Sequence, residues 1–287
     1  LVSLLVSGRS DLPNAVELPD TLRGLIAARI DGLAPEEQST LEDASVWGSS
    51  GPYEVLAKIA LIMRNQRDID PILTSLEQKE VLTLDRDEWT FRSDLVREVA
   101  YARLTKLERL RRHHGIASYM EAVSDGRLTD DGFVDTIARH YTEAARLSAE
   151  LGPVSNIPDD LVDRAVRWLS EAARRAERTA AWPLASRLYT HALELAGDTV
   201  PPDVRLPLLI GRAHARCERW AFEGARNDAT AALELATQVG YDPARARALL
   251  ALGEVETRDG RQYEAQQLLA EAIAGFERAG DVHGRAE

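Results

Sequence analysis

The sequence predicts a mainly α-helical chain in two parts: a short unit with one β-hairpin, then an α-α superhelix of helical repeats. Three observations carry this. Apolar residues recur at helical spacing from Leu18 onward, broken once by a strand-like run at Val81–Phe91. Small residues return every 40 positions in the second half. At 45% hydrophobic and 29% charged, the 287 residues can bury a core and are long enough for two domains.

In the first part, Pro19 and Asp20 suit the first turn of a helix whose apolar stripe is Leu22, Leu25, Ile26, Ile30 and Leu33. Pro35-Glu36-Glu37 opens a second helix that turns Leu41, Ala44, Ser45 and Trp47 inward and stops at Gly48. A third runs from about Pro52 to Met63, and a fourth follows Asp70-Pro71 with Ile72, Leu73 and Leu76. The period then changes. Val81–Leu84, the turn Asp85-Arg86-Asp87 and Trp89–Phe91 read as a β-hairpin, and a further helix begins at Asp94. Three helices and a hairpin make a winged-helix-like unit, placed at 1–125. Residues 126–158 read as a connecting helix and linker.

Residues 159–287 carry the repeat. Ala185, Tyr189 and Ala192 set a spacing that Ala225, Ala229 and Ala232 and then Ala265, Leu269 and Ala272 reproduce at 40-residue intervals. Twelve positions before each first Ala stands another small residue: Ala173, Ala213 and Gly253. Small side chains at these points let two helices of a hairpin approach closely, while Leu and Tyr fill the gaps between hairpins. Three antiparallel pairs follow, with second helices expected near 182–196, 221–238 and 261–279.

The spacing resembles the tetratricopeptide (TPR) family, with units about six residues longer than its usual repeat. Leu18-Pro-Asp-Thr-Leu-Arg-Gly-Leu-Ile-Ala-Ala-Arg-Ile-Asp-Gly-Leu-Ala-Pro-Glu-Glu37 is similar to the segment after the nucleotide-binding core in STAND-class AAA ATPases. Such ATPases accompany bacterial nucleotide cyclases and large LuxR-type regulators. Phe91-Arg-Ser-Asp-Leu-Val-Arg-Glu-Val-Ala-Tyr101 resembles their post-wing motif. The resemblance implies a region of a larger bacterial signalling ATPase that couples nucleotide state to partner binding. Two departures matter. The Gly-rich phosphate loop ending in Gly-Lys-Ser/Thr is missing, so the reading is non-enzymatic and without cofactor, ATP or ADP being implied for the parent only. The motif's nucleotide-sensing His is replaced by Ser93, followed by a matching Asp94; a hydroxyl can bond a phosphate but supplies no imidazolium charge.

In TPR units, first-helix positions 2, 5, 9, 12 and 13 face the groove. With unit starts at 166, 206 and 246, these are Arg167, Ser170, Arg174, Glu177 and Arg178; Pro207, Ile210, His214, Cys217 and Glu218; and Arg247, Leu250, Glu254, Thr257 and Arg258. Arg outnumbers Glu there, so the groove is expected to be mildly positive and to take an acidic peptide or another domain of the parent.

Composition sets limits on other readings. Net charge is −12, with 15 basic against 21 acidic side chains up to residue 125 and 20 against 26 after it. Neither part has the basic excess of a phosphate-driven nucleic-acid binder or an anionic-membrane binder. The alternative reading, a DNA-binding winged-helix regulator, rests on the basic run Arg103, Lys106, Arg109, Arg111 and Arg112 beside His113-His114. Adjacent helical histidines diverge by about 100°, a poor geometry for one metal. A packing role is expected for His140, His191 and His214 and for the five tryptophans. Glu36-Glu37, Asp130-Asp131 and Asp159-Asp160 are expected to act at helix N-termini. Cys217, the sole cysteine, permits no internal disulfide and fits a reducing, cytoplasmic setting. The N-terminal apolar run Leu1–Val6 is too short to span a bilayer. A chain without an initial Met that stops inside a helical pattern is read as part of something larger.

Overall fold

A computed structural model describes residues 20–124, 132–197 and 200–281. Contacts divide the chain into two units, one up to Arg112 and one from His113.

The first unit contains α1 (Asp20–Asp31), α2 (Pro35–Trp47), β1 (Ser50–Pro52), α3 (Tyr53–Arg64), α4 (Asp70–Gln78), β2 (Leu82–Asp85), β3 (Glu88–Phe91), α5 (Asp94–Arg103) and the start of α6 (Lys106–Ser124). The expected hairpin forms, with Leu84 opposite Trp89 and Thr83 opposite Thr90. It is one edge of a three-stranded antiparallel sheet ordered β1-β3-β2, however, not an isolated hairpin. Ser50-Gly51-Pro52 carries no strand signal, and β3 recruits it by pairing Gly51 with Trp89. Only glycine fits there: a Cβ on Gly51 would lie 2.3 Å from the Trp47 Nε1 and 3.0 Å from the Trp89 ring. A second difference concerns α1. Ile30 and Leu33 enter the core, whereas Leu22 and Leu25, the leading half of the stripe, stay exposed.

Ionic contacts tie this core together. Glu37 accepts from the Ala34 amide at 2.7 Å, as a capping residue should. Its carboxylate also takes Lys79 Nζ at 2.6 Å and the Ser75 hydroxyl at 2.5 Å, joining α2 to α4. Asp43, fully buried, accepts from Arg64 and, at 2.9 Å, from Arg112.

The second unit contains the rest of α6, then α7 (Gly132–Leu151), α8 (Leu161–Arg178), α9 (Trp182–Ala196), α10 (Pro202–Cys217), α11 (Phe222–Gln238), α12 (Asp242–Arg258) and α13 (Gln262–Ala279). The hairpins α8–α9, α10–α11 and α12–α13 match the expected pairs within a residue at each second helix, and no strand interrupts them among the described residues. Their turns repeat bond for bond. The amides of Ala181, Ala221 and Arg261 donate to the carbonyls of Ala176, Arg216 and Glu256 at 2.8–3.0 Å. Ala180, Trp220 and Gly260 stand at φ 53°, 61° and 84°. A left-handed residue closed by such a six-residue bond is how a helix stops sharply.

The small residues sit where packing demands them. Ala173, Ala213, Ala185 and Ala225 are fully buried. A Cβ on Gly253 would lie 2.7 Å from Leu269, and one on Gly211 2.4 Å from the Tyr189 ring. Tyr189, the one aromatic in its repeat series, is thus accommodated by a glycine on the next first helix. The protein is mainly α, with a small three-stranded sheet followed by TPR-like helical repeats.

Candidate protein-interaction face

The first helices of the three hairpins, α8, α10 and α12, carry the positions expected from the sequence to line a groove. Ser170 and Cys217 are buried between helices, and burial pushes the Cys217 thiol up, away from the reactive thiolate. Arg174, Arg178, Arg247, Glu254 and Arg258 are exposed. A ladder of charged groups crosses the three helices. Glu177 of α8 lies 3.7 Å from His214 of α10, His214 lies 3.8 Å from Glu218, and Glu218 takes Arg258 of α12 at 2.5 Å. The Trp182 ring meets His214 edge-on at 5.3 Å. Glu177, and behind it Glu254 and Glu218, hold the His214 imidazole above its ordinary range.

The remaining groove arginines are also met by carboxylates. Arg174 pairs with Glu171 at 2.8 Å, Arg178 approaches the same group at 3.8 Å, and Arg247 reaches Asp281 at 3.3 Å. Arg167 departs from the face and binds Glu121 of α6. Exposed pairs of this kind are worth about 0–1 kcal/mol each.

Sequence reasoning passed over three clusters. Asp228 of α11, almost fully buried, takes Arg212 in a fork at 2.6 and 2.9 Å and Arg216 at 2.7 Å. Arg226 forks onto Glu256 at 2.5 and 2.9 Å and reaches Asp259 at 2.6 Å, pinning α11 to α12. Glu121 accepts from Tyr141, Arg167, Arg164 at 2.7 Å and Trp168 Nε1 at 2.9 Å. An open cleft of about 560 Å³ lies beside Glu121, lined also by Ser118, Asp160 and Asp163. Asp160, expected to cap α8, instead takes Arg164 Nε at 2.9 Å. Asp130 and Asp131 lie outside the described residues.

Ser93 and Asp94 meet at the start of α5, both exposed. The Ser93 hydroxyl accepts from the Leu95 amide at 3.2 Å as an N-cap, and Asp94 accepts from the Ser49 hydroxyl at 2.8 Å. Three residues of the basic run are engaged within their unit, while Lys106 and Arg111 are exposed. Arg103 pairs with Asp31 at 2.5 Å, Arg109 donates to the Tyr101 carbonyl at 3.2 Å, and Arg112 takes Asp43 and Glu42.

His113 and His114 do not face a common ligand. His114 meets Ser118 at 3.1 Å, while His113 points to the fully buried His140, Nδ1 to Nδ1 at 2.8 Å. No cluster of three His, Cys, Asp or Glu side chains able to hold a metal occurs among the described residues. His140 Nε2 faces Arg139 at 3.0 Å. Since a guanidinium only donates, His140 is assigned its proton on Nδ1, which it shares with His113. Burial first, then Arg139 and His113, push the His140 imidazole well below 6.5. Below pH 6.5 the unfolded chain therefore takes a proton that the folded chain refuses. Stability is full above that value and falls as pH drops below it. His114, also held down by burial, adds in the same direction, whereas the lowered Glu37 and Glu121 act only below about 4.5. Melting between pH 7 and about 5 is expected to show a slope approaching 1.4 kcal/mol per unit for each such proton, offset near the top of that window by His214, whose raised imidazole takes its proton first in the folded chain. The variant His140→Gln should flatten that slope even where it melts lower throughout.

No family model matches the chain, and no curated protein matches it. Solved structures are similar to it at low identity. A STAND protein with a tetratricopeptide repeat sensor from Pyrococcus horikoshii aligns over 97% of this chain at 14% identity and TM-score 0.35. This chain spans 48% of that protein's length. A putative kinesin light chain with TPR-like repeats from Podosopora anserina aligns over 80% of this chain and 97% of its own at 16% identity and TM-score 0.40. A Rap protein complexed with competence and sporulation factor aligns over 89% of this chain and 66% of its own at 15% identity and TM-score 0.40. These scores are too low to carry any argument about function. No described helix is long and apolar enough to cross a membrane.

Proposed function

We propose that this region is a non-catalytic, regulatory protein-interaction platform of a larger signalling ATPase, with the repeat groove as its recognition surface. The observation that supports this most directly is the face of α8, α10 and α12. Its arginines are exposed and held only by pairs that water already weakens. Arg presents a planar fork that suits carboxylates, so the partner is an acidic peptide or helix, or an acidic face of another domain of the same parent. The winged-helix-like unit is read as the coupling element between nucleotide state and the repeats, with Ser93 and Asp94 as the pair nearest to the resemblance's sensing position.

Replacing Arg174, Arg178 and Arg247 together by Ala is the test. Their bonds lie on the exposed surface, so the variant is expected to lose no more than about 4 °C of melting temperature per pair. Pull-down of the parent's remaining domains at moderate salt is expected to weaken. Capture that survives all three changes removes the groove as the recognition surface.

A further inference from the structure

Trp220 is the most exposed large hydrophobic side chain among the described residues, at 78%, and Tyr263 follows at 70%. Neither is explained by packing. The Trp220 ring meets only Phe222, at 5.8 Å, among the ring contacts of its turn. Its backbone is also in the wrong place for a tryptophan. At φ 61° it occupies the left-handed position of the turn between the two helices of a hairpin, where its 40-residue counterparts are Ala180 and Gly260. Gly260 shows that the turn forms with glycine, the residue that adopts this conformation without strain. A bulky side chain held in a strained turn and left in water points to use outside the fold.

The neighbours give that use a chemistry. Arg219, adjacent to Trp220, is exposed, and its guanidinium has no partner among the described residues. Tyr263 lies in the first turn of α13, at the turn edge of the following hairpin. Trp, Tyr and Arg are the three side chains most enriched where binding energy concentrates, because they combine large apolar faces with a polar tip or fork. We infer that Arg219, Trp220 and Tyr263 form an anchoring patch on the turn edge of the second and third hairpins, taking an apolar peptide segment that carries isolated carboxylates. The aromatic faces would cover its apolar side chains, and Arg219 would fork onto a carboxylate. A polyanion fits less well. Glu223 and Glu264 are exposed next to the aromatic positions, and a nucleic-acid strand needs several free cations, whereas among the described residues of this edge Arg219 is unpaired and Arg261 is already held by Glu256 and Asp259. This surface is separate from the groove residues Arg174, Arg178 and Arg247.

The probe is a fluorescein-labelled peptide in which single Glu residues separate Leu-Phe pairs, titrated against the full chain and read by anisotropy. Trp220→Gly is expected to weaken binding about tenfold or more while melting at or above the parent temperature, since it relieves the turn. Opposed signs separate a lost contact from a lost fold. Arg219→Ala should weaken binding less and reduce its salt dependence. The triple change of Arg174, Arg178 and Arg247 to Ala should leave this binding intact, which keeps it distinguishable from groove recognition. Binding unaffected by Trp220→Gly, no binding of the probe, loss of binding in the groove variant instead, or tighter binding of oligo-dT than of the peptide would each overturn the patch.

Discussion

Asp228→Ala is expected to be among the most damaging single changes in the repeats. The carboxylate is almost fully buried and is the shared acceptor of Arg212 and Arg216, one of them forked. Truncating it leaves two guanidinium groups facing a low-dielectric interior with one acceptor fewer each. Removing one partner of a buried ion pair costs about 3–5 kcal/mol. For a domain of this size each kcal/mol moves the melting midpoint by about 2–4 °C. Chemical denaturation of Asp228→Ala should therefore show a lower midpoint with the slope nearly unchanged. Replacing Asp228, Arg212 and Arg216 together by apolar residues of similar volume should recover much of the loss, because no charge is then stranded. A loss of stability under about 1 kcal/mol would mean that the cluster is hydrated and behaves as a surface pair.

Gly253→Trp is the second large effect. Gly253 sits on α12 against Leu269 of α13, where even a Cβ would stand 2.7 Å from the leucine's end. An indole cannot be seated without driving the hairpin apart. Overpacking costs about 1–3 kcal/mol, and a helix crossing this tight belongs at the upper end. Ala225→Trp, at a fully buried position beside Cys217 and Val255, should act alike on the second hairpin. Loss of helical ellipticity at lower temperature in both variants is the expected reading. Unchanged melting would show that neither position is a crossing.

These two effects differ in how far the sequence foretold them. Gly253 was legible because helix crossings need small residues at fixed offsets, and the 40-residue phase of Ala173, Ala213 and Gly253 repeats that local requirement three times. Asp228 was not. Arg212 and Arg216 lie 16 and 12 residues from it across the α10–α11 hairpin, and Arg226 lies 30 from Glu256 across the join between hairpins, so these pairings are made by tertiary packing and leave no period. The same holds for Glu121, whose donors come from α7 and α8. β1 escaped because Gly51 is chosen by the rings of Trp47 and Trp89, not by strand propensity. Leu22 and Leu25 carried a helical stripe correctly, but periodicity alone does not say how much of a stripe is covered. Of the groove positions, the alignment with the first helices was readable, while the resident carboxylates Glu171 and Asp281 that balance Arg174 and Arg247 were not.

Amide hydrogen exchange of the chain alone and bound to the remaining domains of the proposed parent tests the interaction platform most directly. Groove recognition predicts slowed exchange along α8, α10 and α12, spaced at the 40-residue interval, with little change along α9. Protection confined to residues 20–112, or none in α8, α10 and α12 despite stable binding, would contradict it.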